Sequence, residues 1–260
     1  METGCRRAIL FLLFSPLFGT GFAQTETPVK VDKPLKSYSH WYFGAEYGVP
    51  FLFGDFTSFS ADKTYVGSQF GGFAGYQVNS WIGIEASART GYTRMGAKSY
   101  AGDYLMNADG MTYYTNQDFN TWKYKDVFSK VHFTNIGLQM NLNVNNFFGP
   151  NRGNRRWTVL LGPAVYAQHF STELINKADK SPLSGKKTDK WNIGIGGDVS
   201  LRYKISRAFD VQLRTGIIWV NNNKMDGIST LIKSKDHFMT SAGLSLIWKV
   251  GKKKEDRKSV

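Results

Sequence analysis

Between Trp191 and Lys204 two kinds of side chain alternate along the chain. Odd positions read Trp191, Ile193, Ile195, Gly197, Val199, Leu201 and Tyr203; even positions read Asn192, Gly194, Gly196, Asp198, Ser200, Arg202 and Lys204. Successive side chains of a strand point to opposite faces, so one face is nearly all hydrocarbon and the other carries acid, base and glycine. A solvent-facing sheet surface favours Thr, Lys and Glu, because glycine weakens a strand and packs nothing. Glycine on the polar face fits a crowded interior, with the apolar face turned to lipid. The pattern predicts a transmembrane β-barrel.

The same alternation recurs eight times, at about 41–53, 65–78, 82–97, 130–145, 156–172, 190–204, 208–221 and 237–250. These segments are near or above the ~10 residues that a tilted strand needs to cross a bilayer. Their connections alternate in length. Asn79-Ser80 and Ser206-Arg207 mark tight turns and Phe147 to Arg155 a middling one, whereas the other four run to roughly 11, 32, 17 and 15 residues. Short periplasmic turns opposite long surface loops are the habit of outer-membrane barrels. The expected fold class is all-β: an eight-stranded antiparallel up-and-down transmembrane β-barrel with both termini in the periplasm. Its outward faces place Trp41, Tyr76, Trp157, Tyr203, Phe209 and Trp248 at one rim and Phe51, Tyr92, Trp191, Trp219 and Phe238 at the other. Aromatic girdles of this kind belong at membrane interfaces.

Ahead of the strands, Arg6 and Arg7 precede an apolar run from Ala8 to Phe14, and Gly21-Phe22-Ala23 supplies small residues for cleavage before Gln24. The expected organisation is a signal peptide over 1–23, a periplasmic N-terminal segment over 24–39, the barrel over 40–250 and a basic periplasmic tail over 251–260. The mature protein is expected in the cell outer membrane. Cys5 falls in the leader, which removes disulfides, thiol catalysis and cysteine zinc sites from the mature chain. Mean hydropathy is below zero, and no stretch approaches the roughly 20 apolar residues of a spanning helix. Barrel strands escape such windows because every second residue is polar. The net charge of +13 becomes +12 without Glu2, Arg6 and Arg7. The basic residues are scattered and carry no recognition motif, which argues against nucleic acid as a partner. Lys177, Lys180, Lys186, Lys187 and Lys190 gather in one loop, either a solvated face or a contact for anionic lipid phosphates.

Facing inward are Glu46, Glu85, Arg89, Asp198, Arg202, Asp210, Arg214 and Lys249, with Gln69, Gln77, Gln139, Asn141 and Asn192. An eight-stranded barrel is only wide enough for its side chains to fill. Acids and bases in that space must pair, since an uncompensated buried charge is costly. A gated ion path and a salt-bridge plug are both open, and the narrow bore favours the plug.

Several short blocks carry a family resemblance. Gly71-Gly72-Phe73-Ala74-Gly75-Tyr76 followed by Ile82-Gly83-Ile84-Glu85, Leu161-Gly162-Pro163-Ala164, Gly194-Ile195-Gly196-Gly197-Asp198 with Tyr203-Lys204, and the Ala23-Gln24 leader end resemble the small outer-membrane β-barrel proteins of Bacteroidota, loosely called a porin family. The resemblance covers nearly all of the mature chain and implies the barrel fold and the outer-membrane location. That family includes a component of a secretion machinery. This chain departs from it by running on from Lys252 to Val260 instead of ending on an aromatic strand terminus.

A second resemblance is local. His132-Phe133-Thr134-Asn135 is similar to the His-x-Ser-Asn segment of outer-membrane lipid A deacylases, which are also eight-stranded barrels. His132 and Thr134 point outward near the outer rim, and His169, Ser171 and Glu173 share that face on the next strand. The resemblance implies a hydroxyl nucleophile, an imidazole base and an orienting carboxylate. Thr134 stands where that family has serine, and no acid lies between Asn135 and Ser171. Matches this short have high false-positive rates, so the reading carried forward is non-enzymatic. His40 and His237 begin strands without metal-ligand spacing, and phosphate-loop and calcium-loop spacings are missing. No cofactor and no metal are expected. The second surface loop gathers Tyr100, Tyr104, Tyr113, Tyr114, Trp122 and Tyr124 among Asn, Asp and Gly, either an adaptable binding surface or a cap of rings packed on one another.

Taken this far, the sequence predicts a non-enzymatic barrel with a plugged lumen that acts through its surface loops in binding, adhesion or envelope integrity. Expected partners are outer-membrane lipid, lipopolysaccharide, and an extracellular ligand or envelope protein; the oligomeric state is left open. A small-solute channel, a secretion-complex component and a deacylase-like hydrolase are the alternatives.

Overall fold

Residues 41–97, 123–147, 155–183, 188–221, 225–227 and 237–250 are described in the computed structural model of this chain. The alternating segments become β1 (Trp41–Phe53), β3 (Ser68–Gln77), β4 (Ile82–Ala97), β5 (Val127–Asn143), β6 (Trp157–Asn176), β7 (Thr188–Lys204), β8 (Phe209–Val220) and β9 (His237–Val250). A further strand of two residues, β2 (Phe56–Thr57), follows β1. From β3 to β9 each strand pairs antiparallel with the next, and β1 pairs with β3. β1 also pairs with β9 along its whole length, from Trp41↔Val250 to Phe53↔Phe238. That ladder closes the sheet into an eight-stranded up-and-down barrel and pairs both sheet edges, which would otherwise template aggregation.

Extra chain fills one notch in the wall. The β1–β3 ladder stops at Gly48↔Gln69, well short of the end of β1, so β1 and β4 would lose each other above it. There the chain folds back: Phe53 pairs with Thr57, and Phe56 and Thr57 pair with Ala97 and Gly96. The predicted 65–78 strand is therefore shorter, and the predicted open first loop is partly barrel wall. β1, β4 and β9 run over the predicted spans. β5 and β6 extend further toward the long connections than predicted, to Val127 and Asn176, because Val127 and Leu174 continue to find a core there. At its other end β5 stops at Asn143, and Val144–Phe147 forms one helical turn where strand was expected.

The two faces separate cleanly. Ile193 is 73% exposed on the outside, with Tyr47, Phe70, Val165 and Ile195 also bare there, while Glu85 on the inside is 0% exposed. Glycine on the inner face gives rings their space: a Cβ on Gly75 would overlap the Tyr42 ring, and one on Gly137 would meet the Tyr166 ring. Rows of aromatics ring both rims. Trp41 meets Tyr76 at 5.1 Å and Trp157 meets Tyr203 at 4.6 Å at the short-turn rim. At the opposite rim Phe53 stacks on Phe238 at 4.5 Å and His169 lies 4.9 Å from Trp191.

Candidate functional site

The lumen is the place where this fold concentrates chemistry. Near the short turns Lys249 Nζ donates to Asp210 Oδ1 at 2.6 Å, and Arg202 Nε donates to Gln212 Oε1 at 2.8 Å with its guanidinium over the Tyr42 ring. One level deeper, two arginines from β4 and β8 face three acids from β1, β4 and β7. Arg89 lies 3.1 Å from Glu46 and 4.0 Å from Asp198. Arg214 lies 2.6 Å from Glu85, 3.4 Å from Glu46 and 3.7 Å from Asp198. Neutral groups complete the shell: Tyr42 Oη and Asn141 Nδ2 donate to Glu85, Ser245 to Glu46, and Gln139 Nε2 to Asp198. All eight predicted lumen charges are inside, and they comprise four acids and four bases. The structure joins them into one central cluster and the separate Lys249–Asp210 pair, while Arg202 turns to an amide.

Toward the long connections the interior changes character, which the alternation did not predict. Above the amides of Asn135 and Gln168, which bond each other at 3.2 Å, the inward side chains are mostly apolar and include Leu52, Met95, Val131, Phe133, Phe170, Val220 and Met239. Phe56, Tyr124 and Met225 enter from connecting segments and fill the remaining space. Tyr124 is 6% exposed and packs edge-on against Phe56 at 5.7 Å. This corrects its placing in a surface-binding loop: it is core. Tyr100, Tyr104, Tyr113, Tyr114 and Trp122 lie outside the described residues.

Within this apolar mouth sit three polar residues that the sequence reading did not connect. Asp55 in the β1–β2 turn, Asp226 between β8 and β9, and His237 at the start of β9 are all buried, and one ligand atom from each lies within 4.8 Å of the others. The Asp226 Oδ2 atom accepts from the Asp55 and Phe56 backbone N–H groups at 3.0 and 3.1 Å, which fixes the turn. His237, read from the sequence as a strand start without metal-ligand spacing, lies beside these two carboxylates.

On the outer face, the register does place His132 opposite Ser171, Thr134 opposite His169 and Lys130 opposite Glu173. The Thr134 hydroxyl is 3.1 Å from that of Thr90, His169 pairs with Asp189, and the His132 ring lies 6.2 Å from that of Tyr92. Of the lysine group, Lys177 is tied to Asp62 at 2.8 Å, Lys180 and Lys190 are exposed, and Lys186 and Lys187 lie outside the described residues.

The sequence matches no protein-family model and no curated protein. Among solved structures, the chain is similar to Neisserial surface protein A, at 12% identity over 81% of this chain and 97% of that one, with a TM-score of 0.46. It is similar to a major outer membrane protein from Thermus thermophilus, at 11% identity over 80% and 99%, TM-score 0.44. The outer membrane protein OprG from Pseudomonas aeruginosa gives 11% identity over 82% and 97%, TM-score 0.42.

Proposed function

We propose that this chain is an integral outer-membrane barrel, non-enzymatic, with a lumen closed by its own side chains and with its working surface at the long-connection end. The inverted polarity of the wall carries the reading. Hydrocarbon and aromatic side chains are bare on the outside while acids, bases and amides are buried inside. Exposed apolar patches on soluble monomers seldom exceed a few hundred Å², whereas lipid makes a continuous outward apolar band favourable. The paired lumen charges and the apolar mouth above them favour a closed barrel over a small-solute channel. The Thr134 hydroxyl lies against the Thr90 hydroxyl at 3.1 Å, a contact that supports a binding role over the deacylase chemistry. Outer-membrane lipid and lipopolysaccharide then surround the wall, with Lys180 and Lys190 on hand for anionic headgroups. A ligand or an envelope partner, including a secretion assembly of the kind found among the Bacteroidota barrels, engages the long connections.

Topology is the direct test. Lys180 and Ser206 are both exposed, at opposite ends of the barrel. In intact cells, Lys180→Cys is expected to react with an impermeant maleimide and Ser206→Cys to react only after the envelope is opened. Labelling of Ser206→Cys alone in intact cells would invert the orientation, and labelling of both would remove the membrane assignment.

A further inference from the structure

We propose that Asp55, Asp226 and His237 form a binding site for a divalent transition-metal ion of the Zn²⁺ class, built into the long-connection end of the barrel.

The donor set comes first. One imidazole and two carboxylates supply one nitrogen and two hard carboxylate oxygens, the mixture that borderline divalent ions accept and that leaves coordination positions for water. Asp226 and His237 are 0% and 1% exposed and lie among Leu52, Phe56, Met225 and Met239, so the donors are held inside the barrel mouth and away from its surface.

The spacing is the second observation. His237 Nε2 stands 3.7 Å from Asp226 Oδ2 and 4.0 Å from Asp55 Oδ2. Both distances exceed hydrogen-bond reach, which ends near ~3.2 Å for such pairs. They approach the separations expected between ligands that share one ion at about 2.0–2.2 Å. A small inward movement of the Asp55 carboxylate and the imidazole closes the shell while the two backbone N–H groups keep Asp226 in place.

The third observation is independent of the donors. Gly54, beside Asp55 in the turn, presents its missing side chain to this spot. A Cβ there would lie 2.7 Å from His237 Nε2, 2.6 Å from His237 Cδ2 and 3.2 Å from Asp226 Oδ2. Space at the imidazole nitrogen is therefore kept open by a residue that is itself no ligand. The β1–β9 ladder sets the approach, since Phe53 pairs with Phe238 and brings the turn onto the start of β9. An ion here would tie the β1–β2 turn, the β8–β9 connection and β9 to one point. It would make the closed mouth metal-dependent.

The test uses the full-length protein without a polyhistidine tag, purified in detergent and stripped with a chelator. Zn²⁺ is returned and measured by elemental analysis after desalting and by isothermal titration. Co²⁺ in its place reports the ligand field by its visible absorption. The expected result is one Zn²⁺ per chain, a Co²⁺ spectrum with a nitrogen–oxygen donor set, and a higher unfolding temperature with Zn²⁺ than with the chelator. His237→Gln and Asp55→Asn should each lower affinity by at least the about 10–100-fold that loss of an outer-shell partner of a metal ligand costs. Gly54→Ala keeps every ligand and should weaken binding by filling the space at the imidazole. Folding of each variant is checked by its heat-modifiable gel mobility. The proposal falls if folded wild-type protein takes up no stoichiometric Zn²⁺ or Co²⁺. It falls equally if Ca²⁺ binds in preference, or if His237→Gln retains wild-type affinity.

Discussion

The two halves of the lumen fill the same barrel by opposite means. In the short-turn half, inward positions include Glu46, Glu85, Arg89, Asp198 and Arg214, whose charges neutralise one another among the buried side chains of Tyr42, Phe73 and Ile247. In the long-connection half, inward positions include Leu52, Met95, Val131, Phe133, Phe170 and Met239, with the small hydroxyls of Thr93, Ser129 and Thr172 between them, and filling is mostly by hydrocarbon. The difference follows from what each half has to pack against. Lower down, among the described residues, side chains of the strands face the lumen, and the long polar ones span it to meet each other. Higher up, Phe56 of the inserted β2 and Tyr124 and Met225 of the connections give apolar inward residues a partner. A charged lumen held by mutual pairing is intolerant of losing one member, whereas an apolar one degrades in proportion to the volume removed.

The largest expected effect tests the intolerance. Arg214→Leu leaves Glu46, Glu85 and Asp198 around the single guanidinium of Arg89. Breaking a buried ion pair by removing one partner costs about 3–5 kcal/mol. Unfolding in denaturant, followed by heat-modifiable mobility, should show a loss of that size. A loss inside the roughly 0.2–1 kcal/mol of an exposed pair would mean the lower lumen is wet, and the contrast between the halves would collapse.

In the apolar half the corresponding change is Met239→Ala. Met239 is 1% exposed and takes part in the mouth core. Truncating a buried Leu, Ile or Met to Ala costs about 2–5 kcal/mol, depending on how far the site relaxes. Part of its surroundings comes from connecting segments, which can shift to close the gap, so a cost near the lower end, about 2 kcal/mol, is expected from the same unfolding curve. A cost equal to that of Arg214→Leu would show that the mouth is as rigid as the ion cluster.

Much of the lower half was legible in the sequence, and little of the upper half was. Period-two alternation is a local signal, so Glu46, Arg89, Asp198 and Arg214 could be assigned inward without knowing which strands they would meet. Pairing then followed from the small bore. The signal fades where the barrel borrows residues from elsewhere. Around Val131, His132 and Phe133 the inward side turns apolar, and neither Phe56 nor Tyr124 belongs to a periodic run. The Asp55–Asp226–His237 set depends on barrel closure and on two connections with no repeating pattern; in sequence, Asp55 and Asp226 look like any loop acids. The one available hint was Gly54-Asp55 directly after β1, a turn signal that reads from sequence as the mouth of an open loop.

A third prediction sharpens the claim that the lower lumen is packed to contact. Gly75→Ala drives a methyl into the Tyr42 ring, whereas Gly72→Ala, on the outer face of the same strand, meets nothing nearer than the Gly44 carbonyl oxygen at 3.5 Å. Overpacking costs about 1–3 kcal/mol, and an unobstructed surface change stays within about 0.5 kcal/mol. The pair measured side by side should differ by that margin. Equal costs would imply a lumen slack enough for Tyr42 to swing aside and release Glu85 and Asn141, its partners.

The smallest effect lies outside both halves, in the tie between the first and third long connections. Lys177 Nζ reaches Asp62 Oδ2 at 2.8 Å, and the Ser60 hydroxyl also bonds this carboxylate. Partial burial works to raise the Asp62 pKa, but the hydrogen bonds from Lys177 and Ser60 and the lysine charge outweigh it and hold the group at about 2. The folded value is below the unfolded one of 3.8, so the tie stabilises the loops above about pH 4 and its contribution disappears as pH falls through about 2. With the two side chains 45% and 25% exposed, solvent screening keeps the contribution to about 0.2–1 kcal/mol. Lys177→Ala should therefore speed hydrogen exchange at the Tyr65 amide, which is bonded to Ser58 O at 2.7 Å, by at most about fivefold at neutral pH. The ratio of variant to wild-type rates should fall to unity near about pH 2 and also in about 1 M salt, where screening reaches the pair. A ratio that persists at the acid end would mean that Lys177 steadies the loop through its aliphatic stem and that the ion pair is incidental.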